Sequence, residues 1–221
     1  MNLQEIRDYV REHMDLEEED LPNDVIDRFI REGSKKIETS EQRWPFYEAS
    51  FTYQTVAGTG SVELGSIGGN LKRIASILYD GKPLEWVSID EYDDIWAAKS
   101  GEPKKYAEWG GAILLGPVPD SAYDLTVRGY RSQSDWIAEG AGAVPDMPEV
   151  LHNTVANWVL YRSYAQQEDP ELAHLYRELF DTELNEVGRR LTELSLHRPF
   201  ILNRVDQTER APNPYRYDLP W

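Results

Sequence analysis

No cysteine occurs in the chain, which excludes both a disulfide framework and a thiolate metal site, so the fold must hold by packing and hydrogen bonds. A reducing compartment is compatible with that. Histidine is scarce: His13, His152, His174 and His197 fall on four separate helical or helix-end positions, and none forms the HxxxH or HxxE pair that metals use. Surface or cap roles are expected for them. Bases are the minority, 23 against 40 acids, and a net charge of -17 opposes capture by nucleic acid or anionic lipid, because phosphate binding needs a basic face. Such a surface serves solubility, and it also keeps a path slippery where DNA must pass without sticking. Long apolar runs are missing as well; stretches such as Ala112–Leu115 fall far short of the ~20 residues that span a bilayer. Met1–Asp20 carries Glu5, Asp8, Glu12, Asp15 and the run Glu17–Asp20 where a signal peptide would be basic and then apolar. A soluble protein made in the cytoplasm is expected.

What is present suffices for a core: 221 residues, 40% apolar and 11% aromatic, fit one domain or one domain with an inserted lobe. Leu3, Ile6, Val10 and Met14 recur at steps of three and four and predict an amphipathic helix. Leu21-Pro22 opens a second helix with Pro22 in its first turn, Ile26, Ile30, Gly33 and Ile37 on its buried stripe, and a stop by Pro45. Gly33 costs that helix about 1 kcal/mol relative to alanine, so it marks either a close helix crossing or a tolerated weak spot.

From Ser50 to Trp136 the period becomes that of strands. Phe51, Tyr53 and Thr55 alternate with polar neighbours, Arg73–Tyr79 is apolar on both faces and predicts a central strand, and Asp80-Gly81 turns into a hairpin with 83–87. Residues 89–98 predict a short helix with Asp90 as its cap, and Ala112–Leu115 and Tyr123–Tyr130 two more strands. Helical spacing then returns with Leu151, Val155 and Trp158 on one face. After a break at Asp169-Pro170 a long stripe runs through Leu172, Tyr176, Phe180, Leu184, Val187, Leu191 and Leu194. The expected class is α+β: a four-helix bundle, two N-terminal and two C-terminal helices, with an inserted antiparallel β lobe and an extended C-terminal arm. The boundaries expected are 1–49 and 146–197 for the two helical hairpins of the bundle, 50–136 for the lobe and 198–221 for the arm.

Motifs that carry chemistry are missing. Gly58-Thr59-Gly60-Ser61-Val62-Glu63 has Glu63 where a dinucleotide fingerprint needs glycine and reads as a loop; Gly81-Lys82 is followed by Pro83, not the Ser/Thr of a phosphate loop; no Gly-x-Ser-x-Gly elbow occurs. The cluster Asp90, Glu91, Asp93, Asp94 fails as a calcium loop, with Ile95 in place of its glycine and Gly101 in place of its last carboxylate. No cofactor, metal or catalytic residue is assigned. A small acidic hydrolase whose carboxylates meet only in three dimensions stands as the enzymatic alternative.

The last segment, 198–221, has no periodicity, four prolines (Pro199, Pro212, Pro214, Pro220) and aromatics at Phe200, Tyr215, Tyr217 and Trp221. It is either a frayed end or an arm that orders on a partner, and the aromatics favour the arm, since Tyr and Trp bring contact area at little rotamer entropy. Phe200, Pro212, Pro214, Tyr215, Tyr217, Leu219 and Trp221 are therefore the candidate partner-binding residues.

The order of parts resembles the head-to-tail adaptor proteins of tailed bacteriophages, also called head completion or tail tubular protein A-like. The likeness lies in Leu3, Ile6-Arg7 and Leu21-Pro22, then Phe29-Ile30-Arg31-Glu32-Gly33, then Trp44-Pro45-Phe46-Tyr47-Glu48; it continues in Gly101-Glu102-Pro103, Tyr106-Ala107 and Gly116-Pro117-Val118-Pro119-Asp120 before Tyr123, and covers most of residues 1–195. The resemblance implies a structural virion protein, not an enzyme, made in the host cytoplasm and placed at the neck between head and tail. It implies a ring of about twelve copies contacting copies of itself, the portal and the tail tube or nozzle, with DNA passing through without specific binding and no membrane involved. A tail terminator or neck protein, forming a sixfold ring, is the alternative within the virion.

Overall fold

The computed structural model describes residues 1–41 and 43–196. Helix α1 (Leu3–Met14) begins at a capping box in which Asn2 accepts the Glu5 amide at 2.9 Å and Glu5 accepts the Asn2 amide at 3.0 Å, and it ends on Asp15 in the left-handed region. Its apolar side, Leu3, Ile6 and Val10, is fully buried. Helix α2 (Asn23–Ser40) starts one residue later than expected: Pro22 is its N-cap, with extended backbone, and not part of its first turn. The helix is closed by a 3₁₀ turn, Pro45–Tyr47, after Trp44, whose indole donates to the Ile37 carbonyl at 2.7 Å.

Eight strands follow: β1 (Glu48–Gln54), β2 (Ser61–Glu63), β3 (Leu71–Tyr79), β4 (Lys82–Pro83), β5 (Glu85–Trp86), β6 (Lys105–Trp109), β7 (Ala112–Gly116) and β8 (Asp124–Arg131). They form two sheets, ordered β1-β8-β3-β4 and β2-β7-β6-β5. Pairing is antiparallel except for β5 with β6, which is parallel. Two single turns, α3 (Leu64–Ile67) and α4 (Ile89–Glu91), lie between strands, and α4 runs on into a π turn, Tyr92–Trp96. The cap of α4 is Ser88, not Asp90; its hydroxyl accepts the Glu91 amide at 3.2 Å.

Three expectations for this region are corrected. Residues 58–63 are not a loop throughout, because Ser61–Glu63 pairs with Ala112–Leu114 and turns Val62 inward. The hairpin strand expected over 83–87 is cut short: only Lys82–Pro83 pairs with β3, and Glu85–Trp86 lies in the other sheet, parallel to β6. Strand β3 is interior, as expected, but it does not bury both faces: Leu71, Ile74 and Ile77 are buried at intervals of three because register shifts at Leu71/Arg73 and Ile74/Ser76 break the alternation. The hairpin at Asp80-Gly81 has both residues at positive φ, 49° and 72°, as a two-residue turn of right-handed twist requires.

Helix α5 (His152–Gln166) follows a 3₁₀ turn at Glu149–Leu151, and α6 (Pro170–Leu196) begins where Asp169 accepts the Leu172 amide at 3.1 Å. Residues from α1, α2, α5 and α6 share one core. Helix α5 touches the other three, and so it is buried on more than the single face expected: Thr154, Ala156, Asn157, Val159, Leu160 and Ser163 join Val155 and Trp158. The crossing of α2 on α5 is close. A Cβ on Gly33 would lie 2.9 Å from Trp158 Cδ1, which decides between the two readings of that glycine in favour of the crossing. Where α5 meets α6, Glu183 accepts from both Thr154 and Asn157 at 3.0 Å.

Candidate functional site

The seven candidate arm residues, Phe200 to Trp221, lie outside the described residues, so the site has to be sought on the surface of the body. Inside it, each strongly buried carboxylate is engaged. Glu38, 1% exposed, receives Lys35 at 2.8 Å and Lys72 at 3.5 Å, which ties α2 to β3. Asp146 holds Arg131 through both oxygens and also accepts the Ser134 amide at 3.0 Å. Burial alone would raise the Asp146 pKa, but the Arg131 and Ser134 hydrogen bonds outweigh it and hold the carboxyl below its ordinary 3.8. Among the described residues no group of His, Asp and Glu is arranged to hold a metal ion, and no helix is long and apolar enough to cross a membrane.

His152 departs from expectation. It stands at the start of α5 as a helix-end histidine, but it is 3% exposed, with the Met1 amine 2.7 Å from Nδ1 and the Met147 carbonyl 3.1 Å from Nε2. Burial, aided by the charge on that amine, depresses its pKa below the ordinary 6.5. A histidine that resists protonation only when folded stabilises the fold fully above about pH 6.5 and progressively less as pH falls below it. Stability measured by denaturant unfolding should therefore fall as pH is lowered below about 6.5, and His152→Gln should remove most of that slope. An unchanged slope in the variant would assign it elsewhere.

Two charged surfaces stand out. The turn from α1 to α2 exposes Asp15, Glu17, Glu18, Glu19 and Asp20. It is rigid: the Leu21 amide bonds the Glu17 carbonyl at 3.0 Å, Arg11 donates to the Leu21 carbonyl and to Asn23, and Asn23 donates to Glu18 at 2.6 Å. The opposite sign is concentrated on the outer face of α2. Arg28, Arg31 and Lys35 are exposed there at helical steps of three and four, with Asp24 and Glu32 on the same side, and the exposed Lys36 stands about 100° further round. Arg28 and Arg162 hold their guanidinium groups 5.2 and 5.3 Å from the Phe29 ring, and Lys36 holds its ammonium 5.8 Å from that of Trp158. Arg31 meets Asp135 at 3.2 Å, and Arg162 meets Glu32 at 3.3 Å. Beside this face opens a cleft of about 350 Å³ between α2 and residues 132–137, lined by Arg31, Ser34, Lys35 and Glu38. The hydroxyl of Ser34, 1% exposed, finds no hydrogen-bond partner. The basic face was legible in the sequence, since four of the 23 bases fall within residues 28–36, but whole-chain charge conceals it.

Exposed apolar side chains are scattered: Trp86 and Trp109 on the second sheet, Ile95 on the π turn, Leu175 and Leu179 on α6. Leu175 and Leu179 are neighbours on one face of α6, and the others are placed singly and need no special explanation. No curated protein matches the chain. Residues 1–202, however, match the family model described as SU10 adaptor protein, and since that match spans most of the sequence, the chain belongs to this family of phage adaptors.

Proposed function

We propose that this structural adaptor closes a ring of about twelve copies between the portal and the tail tube or nozzle, continuing the DNA channel at the neck of the virion. The observation that carries the reading is the family match over residues 1–202. In this reading α1, α2, α5 and α6 form a four-helix bundle, segments 1–49 and 146–197, that makes the ring wall, and 50–136 is a lobe inserted between its halves. The acidic surplus lines the channel and repels the phosphates of passing DNA. The arm, 198–221, carries Phe200, Pro212, Pro214, Tyr215, Tyr217, Leu219 and Trp221 to the portal or to a neighbour, where repetition around the ring multiplies a modest contact.

The test is to image portal rings mixed with the full chain and with a chain truncated after Leu196. The full chain is expected to add a ring below the portal, and the truncated chain to melt within a few degrees of it yet fail to join. Normal assembly of the truncated chain would remove the arm from the account. Failure of the full chain to add any ring would remove the adaptor reading itself. Native mass of the assembled ring separates about twelve copies from the sixfold ring of a terminator or neck protein.

A further inference from the structure

We propose that the acidic turn Glu17–Asp20 of one copy docks on the basic face of α2, at Arg28, Arg31, Lys35 and Lys36, of the next copy. This rests on the ring reading above and names its contact. Copies that each carry a net charge of -17 repel one another when crowded around an axis, so the surface by which they meet must set the minority sign against the majority one. The outer side of α2 exposes four bases within residues 28–36, beside Asp24 and Glu32, and the turn before α2 is the densest run of acid.

Both surfaces are prepared for contact. The turn is fixed by the bonds of Arg11, Leu21 and Asn23, so little entropy is lost when it docks. On the receiving side Arg28, Lys36 and Arg162 are held over aromatic rings. Arg31 can exchange its partner at an exposed surface, because the Arg31–Asp135 pair is 49% and 63% exposed; Lys35, 59% exposed, also holds the buried Glu38. The turn and Lys36 are about 20 Å apart along α2, given 1.5 Å of rise per residue. One copy therefore cannot carry its own turn to Lys35 and Lys36, and a knob on one site of each subunit meeting a different site on the next is the heterologous contact that closes rings.

Charge reversal tests this, with binding to portal rings as the readout. Chains with Glu17→Lys and Glu19→Lys, and chains with Arg31→Glu and Lys36→Glu, should each retain the wild-type melting behaviour, since these side chains are exposed and hold no buried group, and each fail to form rings. An equimolar mixture should recover them, because a reversed turn then meets a reversed face and the two chains alternate. The absence of cysteine allows a second test: Glu19→Cys combined with Lys36→Cys should give a covalent ladder of copies on oxidation, since sulfurs bridge only when Cα atoms come within ~7 Å and the two sites of one chain are too far apart. Either variant assembling alone as wild type does, or a mixture that stays unassembled, overturns the contact. Rings that form without a ladder also overturn it, while leaving the ring reading intact. Wild-type chain that adds no ring overturns both. Reversal on α2 that leaves rings intact but lowers DNA retention assigns the face to DNA and overturns the contact.

Discussion

Trp158→Ala is expected to destabilise the isolated chain by about 3–5 kcal/mol, a large part of the ~5–15 kcal/mol that holds a typical domain. Trp158 is 4% exposed and sits where three helices meet: against Gly33 of α2, edge-on to Tyr161 at 5.2 Å, and against Phe180 of α6 at 4.9 Å. Truncation leaves a cavity that these backbones cannot close without moving. Gly33 makes the expectation sharper. Gly33→Ala alone should cost about 1–3 kcal/mol, since its Cβ would stand 2.9 Å from the indole and force α2 and α5 apart. In the Trp158→Ala background the clash with the ring is gone but the Cβ of residue 158, 3.0 Å from the added methyl, remains, so the cost of the same substitution should shrink without reversing. Denaturant unfolding of the four chains reads the cycle, and additive costs would show that the crossing does not depend on this contact.

The second large effect concerns Glu38. Lys35→Met with Lys72→Met strips both cations from a carboxylate that is 1% exposed, and breaking a buried pair in this way costs about 3–5 kcal/mol. The lower end of that range applies, because Lys35 is 59% and Lys72 32% exposed and water already shares their charge. Adding Glu38→Met should restore most of the loss, since an apolar side chain of similar volume has no charge to desolvate. If the triple variant is no more stable than the double, the damage comes from lost lysine packing and not from a stranded charge.

The parts of this fold that were legible in the sequence are those whose signal is local. Helix α1 shows itself through Leu3, Ile6 and Val10 at helical steps, the long stripe of α6 through Leu172 to Leu191, and the first hairpin through Asp80-Gly81. Features set by a distant partner were not. Ser61–Glu63 is a strand only because Ala112–Leu114 lies beside it, the bulges that give β3 a period of three depend on β8, and the wrapping of α5 depends on three other helices. His152 and Glu38 are buried polar groups whose partners sit at Met1 and Lys72, far away along the chain. As for function, the order of parts pointed to the adaptor family, which the match over residues 1–202 shows, while the arm residues fall outside the described structure. The four bases of α2 fall within residues 28–36 and are hidden by an average over the whole chain.

The core shared by the first two and last two helices has a consequence for synthesis. The Leu3 amide bonds the Ala143 carbonyl at 2.8 Å and the Tyr164 hydroxyl bonds the His13 carbonyl at 3.0 Å, so α1 is completed by residues translated long after it. At roughly 5–20 residues per second, α1 and α2 wait on the order of ten seconds with their apolar stripes uncovered. The strands in between all find their partners within residues 48–131 and can pair during that wait. The nascent chain therefore matures from its middle outward, and a chaperone that shelters exposed leucine and isoleucine has its window before α5 leaves the ribosome.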